Sequence, residues 1–245
     1  MPHRTFDIEE VARYLHLSRA DIERLVKNRD VPFERHGKRL VFQKIEIDAW
    51  ASQRILGLQG SRLADYHDKS SQATRDYLPH EAIFPEMLQP EFIQPAMPAK
   101  TKASVMREMA ALAGKTRRVC DPAGLLSSLE AREALCSTGL PGGMALLHCR
   151  SPESYLFDSP FIVLGRTVQE IPFGAPDGQP TRLFFLVCCP DDRLHLHTLA
   201  RLCLVAQKTD LLLQLGEARD SPAIYCAIIA AEEEVLKRRR ASSHA

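Results

Sequence analysis

Two continuous apolar runs in the second half of the chain limit the folds that it can adopt. Residues 161–164 read Phe-Ile-Val-Leu and residues 183–189 read Leu-Phe-Phe-Leu-Val-Cys-Cys, with no polar residue that could face water. Such runs predict strands that are buried on both faces. Amphipathic helical patterns at 101–112, 123–136 and 194–206 would supply the covering layers. The C-terminal part is therefore predicted to be a layered α/β domain.

Composition excludes several classes of protein. The chain has 32 basic and 31 acidic side chains in 245 residues, so any patch that binds an anionic partner must be local. No run of 18 apolar residues and no apolar N-terminal core occur, which predicts a cytoplasmic protein without membrane insertion. The seven cysteines include no Cys-x-x-Cys pair, which favours free thiols over disulfides or a zinc ribbon.

The first 55 residues follow a different pattern. Ile8, Val11, Ala12 and Leu15 share one face of a predicted helix, and Ser18 is a favourable N-cap for a second. The remaining elements follow in order: the second helix ending at Val31-Pro32, short strands at 33–35 and 40–42 around a basic turn, and a helix at 45–55. This order predicts a winged helix-turn-helix.

Residues 6–52 of this module resemble the excisionase-type DNA-binding domain. The similarity rests on residues 9–18, on Val31-Pro32 before the basic wing, and on the Asp-Ala-Trp of residues 48–50. In such folds the second helix enters the major groove and the wing meets the backbone. The DNA-binding candidates are therefore Arg19, Arg24, Lys27, Lys38 and Arg39.

Two carboxylates weigh against DNA on that same helix. Asp21 and Glu23 would each repel phosphate. The alternative is a domain that docks a protein. A homodimer would add DNA contacts, because a single small winged domain makes few of them.

A histidine motif marks the larger module. Residues 142–150 read Gly-Gly-Met-Ala-Leu-Leu-His-Cys-Arg, and they resemble the Gly-Ile-Ala-Leu-Pro-His-x-Arg signature of the fructose, mannitol and nitrogen-type enzyme IIA domains of the bacterial phosphotransferase system. Arg132 lies 16 residues before His148 and His195 lies 47 residues after it, at the spacing of that family. The resemblance spans about residues 82–236.

The resemblance implies a phosphohistidine carrier. His148 would accept phosphate from a carrier protein of the HPr type, because a neutral imidazole is both a good nucleophile and a good leaving group. Arg132 would bind the phosphoryl oxygens, His195 would donate to the phosphate or hold the tautomer of His148, and Thr138 would add a donor. Neither a metal nor another cofactor is implied.

Each of these residues has a structural alternative. His148 could be a hydrogen-bonded residue at a strand end, Arg132 a surface ion-pair residue, and His195 part of a helix N-terminus. A third reading joins His148, Cys149, His195 and His197 in a transition-metal site. His197 alone receives no functional role.

One residue departs from the family pattern. Leu147 stands where the family has proline, a residue that would fix the backbone that aims the imidazole. This substitution raises the question of whether His148 can still be phosphorylated.

Four segments are predicted. Residues 1–56 form an excisionase-like winged helix-turn-helix, 57–81 a flexible linker with one weak helical stretch, 82–237 an enzyme IIA domain of type 2, and 238–245 a polar tail. We expect a regulator in which phosphate on His148 controls DNA binding. The alternatives are a phosphoryl-transfer subunit for a sugar permease and a sensor that is not phosphorylated. A permease or regulatory protein would then be a further partner.

Overall fold

The N-terminal module is a three-stranded sheet covered by helices. A computed structural model describes residues 5–74, 80–150 and 155–242. The module consists of β1 (Thr5–Phe6), α1 (Ile8–Tyr14), α2 (Arg19–Asn28), β2 (Glu34–His36), β3 (Arg39–Gln43) and α3 (Lys44–Leu56). The antiparallel strands have the order β1-β3-β2. The predicted winged helix-turn-helix is observed, with the short β1 as an additional edge strand.

Local signals in the sequence fix the first two helices. Asp7 and Glu10 form a capping box at the start of α1, and Ser18 and Asp21 form another at the start of α2. The predicted N-cap Ser18 is therefore confirmed. Helix α2 ends at Asn28, three residues before Val31, because Arg29 adopts the left-handed conformation at φ 58°.

The C-terminal module is a five-stranded mixed sheet between helices, which confirms the predicted α/β class. Its elements are α5 (Phe84–Met87), β4 (Ile93–Met97), α6 (Lys102–Lys115), α7 (Pro122–Glu133), β5 (Gly139–Leu140), β6 (Met144–His148), β7 (Phe161–Ile171), β8 (Thr181–Cys188), α8 (Asp192–Lys208), α9 (Leu211–Glu217) and α10 (Ser221–Ser242). The strand order is β4-β7-β8-β6-β5, and β6 and β8 run parallel with His148 opposite Val187. His148 is thus the last residue of a central strand.

The predicted flexible linker is wrong over most of its length. Helix α4 (Gly60–Thr74) occupies this segment and packs along α8. Its inward face carries Leu63, His67 and Ser70, all of which are buried. Two of these three residues are polar, so the apolar period that identifies a helix in a sequence is absent. Residues 75–79 of the predicted linker lie outside the described residues.

The predicted polar tail is also partly helical, since α10 continues to Ser242. Its last turns are held by Arg238, which donates to the Lys208 carbonyl at 2.8 Å, and by Arg240, which donates to Glu81 at 2.8 Å. Basic residues near a helix C-terminus are also favoured by the helix dipole. Residues 243–245 of the predicted tail lie outside the described residues. No helix in the described part of the chain has both the length and the apolar character that a bilayer crossing requires.

A buried polar network joins α4, α8 and α10. Arg201 donates to Nε2 of His67 at 2.6 Å and forms an ion pair of 2.6 Å with Glu232. Glu232 in turn accepts the backbone N–H groups of Ile83 and Phe84, each at 3.0 Å. Neither the guanidinium nor the carboxylate reaches water, so each depends on the other for its charge.

Replacement of Arg201 tests this network. Arg201→Ala would leave the Glu232 carboxylate buried without its cation, and we expect the free energy of unfolding to fall by about 3–5 kcal/mol. Urea denaturation followed by circular dichroism would measure the loss. The matched control is Lys237→Ala, which removes an exposed ion pair on the same helix as Glu232 and should change little. Equal losses in the two variants would contradict a stabilising role for the network.

Candidate functional site

His148 lies buried at the end of β6, with only 1% of its surface exposed. Its Nδ1 lies 2.8 Å from the Leu146 carbonyl oxygen, and its Nε2 lies 2.9 Å from Nε of Arg132. A guanidinium N–H can only donate, so Nε2 accepts and carries the lone pair. The proton therefore resides on Nδ1, where it is donated to Leu146. Nε2 is the nucleophilic atom of this ring.

The surroundings keep the His148 ring uncharged. Burial, the charge of Arg132 and the neighbouring His195 together hold the pKa of His148 well below its ordinary value. At neutral pH the ring is consequently a neutral imidazole with a free lone pair. That is the protonation state that attack on an electrophile requires.

Arg132 lies in the last turn of α7 and is equally buried, with 1% of its surface exposed. Its Nη1 donates to the Cys136 carbonyl at 3.1 Å, which ties the guanidinium to the end of its own helix. Its Nη2 is buried without a hydrogen-bond partner among the described residues. A buried donor of this kind is costly unless it serves a ligand. The guanidinium therefore presents an unused donor beside the His148 nucleophile.

His195 completes the cluster from the first turn of α8, which Asp191 caps. The His148 and His195 ring centroids are 5.2 Å apart, and the planes are inclined by 53°. Burial, the charge of Arg132 and the charge of Lys44 lower the pKa of His195 to about 3. The structure thus brings together the three residues that the sequence predicts for catalysis, each on a different element.

Thr138 lies close by but is occupied by another residue. Its hydroxyl and backbone N–H both donate to Oε2 of Glu133, at 2.6 and 3.1 Å. Lys102 pairs with the other oxygen of Glu133 at 2.6 Å. The hydroxyl proton of Thr138 is therefore engaged, and its phosphate-binding role stays a prediction. The sequence did not identify Glu133 and Lys102 as site residues. Glu133 directly follows Arg132 and precedes the Ser-Thr-Gly of the loop.

The structure also bears on the alternative metal site and on the effect of Leu147. His197 bonds through Nδ1 to Ser70 at 2.8 Å and stacks on His67 of α4, so it does not join His148 in a metal site. The described residues contain no group of three or more His, Cys, Asp or Glu side chains arranged to hold a metal. Leu147 is buried in β6, and the Nδ1 contact to the Leu146 carbonyl orients the ring in this proline-free strand.

The DNA-binding candidates lie on the exposed face of the N-terminal module, but two are already paired. Arg19 bonds to Glu9 and Glu23, and Arg24 bonds to Asp21 at 2.6 Å. Among the five candidates, Lys27 on α2 and Lys38 and Arg39 at the turn between β2 and β3 form no ion pair with a described residue. Two of these three unpaired candidates therefore lie on the wing.

Comparison with known proteins gives two family matches. Residues 86–231 match the family described as the phosphoenolpyruvate-dependent sugar phosphotransferase system, EIIA 2. Residues 5–55 match a helix-turn-helix domain family. The predicted fusion of these two domain types is confirmed, whereas the closer relation to excisionases stays a prediction.

Individual relatives agree with the first match. The chain is 30% identical over 145 residues to a nitrogen regulatory protein of Bradyrhizobium diazoefficiens, covering 58% of this chain and 92% of that protein. It is 28% identical over 141 residues to the fructose-specific EIIABC component of Bacillus subtilis, covering 57% of this chain but only 22% of that protein. The crystal structure of nitrogen regulatory protein IIA-Ntr from Neisseria meningitidis superposes with a TM-score of 0.53 at 26% identity, covering 58% of this chain and 96% of that one.

The buried neutral histidines predict how stability depends on pH. Burial lowers the pKa of His148 and His195 in the folded state, whereas in the unfolded chain both would titrate near 6.5. The unfolded state therefore binds more protons, and stability is full above about pH 6.5 and falls as the pH decreases below it. Each such ring contributes a slope of about 1.4 kcal/mol per pH unit. Urea denaturation between pH 7.5 and 5 should show the decline, and His148→Gln should reduce its slope; an unchanged slope in that variant would contradict a buried neutral His148.

Proposed function

Since this chain belongs to the EIIA 2 family of the phosphoenolpyruvate-dependent sugar phosphotransferase system, we propose that it accepts a phosphoryl group on Nε2 of His148 and couples this event to DNA binding. The observation that carries the proposal is the pair formed by Nε2 of His148 and Nε of Arg132, 2.9 Å apart and sealed from water. It combines a neutral nucleophile with a permanent cation. The donor is a phosphohistidine on a carrier protein of the HPr type.

The transfer needs no proton to move. The Nε2 lone pair attacks phosphorus in line, the bond from phosphorus to the donor's ring nitrogen breaks, and its electron pair returns to that nitrogen. The proton stays on Nδ1 of His148, and its hydrogen bond to the Leu146 carbonyl stabilises the positive charge that the ring acquires. No oxidant, metal or other co-reactant enters the step.

Arg132 has two tasks in this sequence. In the resting site its Nε protects the lone pair of His148, and this contact must break when phosphorus arrives. The buried Nη2, which has no partner among the described residues, can then pair with a phosphoryl oxygen. Charge in such transfers spreads over the equatorial oxygens, and a planar guanidinium fork matches two of them. The His195 ring, 5.2 Å from the His148 ring, is the further candidate to donate to the phosphate.

We assign the regulatory output, DNA binding, to the N-terminal module. Its helix-turn-helix family match and the exposed wing cations Lys38 and Arg39 support DNA as the partner. The fructose-specific relative supports a second candidate function, in which phosphate passes onward to a sugar permease component. A homodimer and a cytoplasmic location stay predictions.

Phosphorylation by a complete donor system tests the carrier function. With phosphoenolpyruvate, enzyme I and an HPr-type carrier, the protein should gain one acid-labile phosphate on His148, located by intact and peptide mass. His148→Ala should abolish the label, and Arg132→Lys should slow uptake by about 10²-fold because the fork geometry is lost.

The matched control is His36→Ala, which removes an exposed histidine of the wing and should leave the label intact. A wild-type protein without phosphate, beside a second acceptor that the same donors label, would contradict the carrier function. The non-phosphorylated sensor would then be the better description.

DNA binding is tested by its salt dependence. The double variant Lys38→Ala and Arg39→Ala should bind DNA more weakly and reduce the slope of log affinity against log salt by about 2, since each lost phosphate contact contributes about 0.9. Fluorescence anisotropy on duplex DNA over a salt series would measure it, with Lys237→Ala as the control that removes one positive charge outside the module. A wild-type protein that does not bind DNA even at low salt would favour a domain that docks protein.

A further inference from the structure

An ion pair crosses from the N-terminal module to the rim of the histidine site. Lys44, the first residue of α3, places its Nζ 2.8 Å from Oδ2 of Asp48 and 2.9 Å from Oδ2 of Asp192. Asp48 belongs to the same module as Lys44, whereas Asp192 lies in the first turn of α8, three residues before His195. The contact therefore joins the two modules next to a site residue.

Lys44 is held by a second carboxylate within the N-terminal module, and both of these side chains are mostly shielded from solvent. The Lys44 side chain is 19% exposed, and the Asp48 side chain 3%. The hydroxyl of Tyr14 donates to the second oxygen of Asp48. Movement of the module would thus carry Lys44 away from Asp192 while its bond to Asp48 persists. Asp192 would then lose the cation that neutralises it.

The charge of Lys44 also reaches the site itself. It contributes, with burial and Arg132, to the lowered pKa of His195. The His195 ring lies 5.2 Å from the His148 ring. The start of α3 consequently lies beside the first turn of α8, which carries His195.

A protein donor cannot reach His148 in this arrangement. His148 is 1% exposed and His195 5% exposed. In-line transfer requires the donor phosphorus to approach Nε2 to roughly 3–3.5 Å. Stable protein complexes cover on the order of 800 Å² on each partner, so the donor's footprint would extend beyond the histidines onto Asp192 and Lys44.

We propose that the N-terminal module and the protein phosphoryl donor compete for this face, with the Lys44–Asp192 ion pair holding the module in the closed position. The inference rests on the proposed function of His148. Release of the pair opens the face to the donor, so access to the nucleophile is set by the module that carries the DNA-binding residues. The partner that fits this surface is a protein bearing a phosphohistidine.

The chain offers a hinge for this movement. Gly60, the first residue of α4, adopts the left-handed conformation at φ 58°, which suits glycine. The Gln207 side chain bonds to the Leu58 carbonyl at 3.0 Å and to the Gly60 N–H at 3.4 Å. These exposed bonds are weak compared with the buried bonds that attach α4 to α8 through His67 and Arg201. A rotation of the module about residues 57–60 would leave α4 on the C-terminal module and would separate His16 from its edge contact with Tyr66.

The test compares two phosphoryl donors on the full-length protein. Lys44→Ala and Asp192→Asn each remove one partner of the ion pair, and Lys237→Ala is the control that removes an exposed lysine elsewhere. The donors are the HPr-type carrier, recharged by phosphoenolpyruvate and enzyme I, and phosphoramidate, a small donor that needs no protein footprint. The rate of phosphate uptake on His148 is measured by intact mass.

We expect the carrier-driven rate to rise on the order of tenfold in both variants, because the fraction of accessible molecules increases. The phosphoramidate rate should rise much less, and Lys237→Ala should match the wild type. Asp192→Asn leaves the Lys44–Asp48–Tyr14 contacts in place, so its result does not depend on the folding of a disturbed N-terminal core.

Other outcomes overturn the inference. Unchanged or slower carrier-driven uptake in Asp192→Asn would show that the ion pair does not close the face. An equal rise with both donors would show that it tunes the reactivity of His148 and not access for a protein. Uptake from phosphoramidate but not from the carrier in all variants would refute competition and leave His148 as a nucleophile. Absence of phosphate from either donor in every variant would instead refute the proposed function itself.

Discussion

The burial of helix α8 is the constraint on which the rest of the structure depends. All residues from Leu194 to Val205 are buried, and they include His195, His197, Thr198 and Arg201. A helix with polar side chains on several buried faces must find a partner for each of them. His195 meets the histidine site, His197 and Arg201 meet α4, and Thr198 bonds back to the Leu194 carbonyl at 2.8 Å. The position of α4 follows from these requirements.

The same reasoning explains the protonation state of the histidine site. Burial removes the charge of His148, and Arg132 caps the only free lone pair of its ring. A neutral imidazole exposed to water would share its lone pair with solvent. Here Nε2 of His148 accepts from a single donor, the guanidinium of Arg132. A guanidinium binds oxygen anions well, so an arriving phosphoryl group would replace Nε2 as its partner by a stronger acceptor. The His148 ring therefore stays neutral, and its lone pair is held in a hydrogen bond until a stronger partner for Arg132 arrives.

The sequence predicts the elements that have an apolar period or the motif spacing of a family. It does not predict an element whose buried face consists of polar side chains that bond to one another. The strands at 161–164 and 183–189 and the cluster of His148, Arg132 and His195 could be predicted, because apolar runs and family spacing carry them. Helix α4 could not, since its buried face depends on His67 and Ser70, whose partners lie more than 120 residues away. Thr138 shows a different limit: its hydroxyl is engaged by Glu133, only five residues earlier, and no apolar period or motif in the sequence indicates that bond.

In the proposed mechanism, closure of the face and exposure of the wing place phosphorylation and DNA binding on one equilibrium. The wing residues Lys38 and Arg39 are exposed while His148 is buried, so the closed arrangement leaves cations available to DNA. Linkage then requires reciprocity. DNA that binds the closed arrangement more tightly lowers the population in which His148 can be reached, and by the same factor phosphorylation that traps the open arrangement weakens DNA binding. DNA that binds both arrangements equally shifts neither, however tightly it binds. The sign of the coupling is therefore set by which arrangement the DNA prefers, and its size is limited by that difference alone.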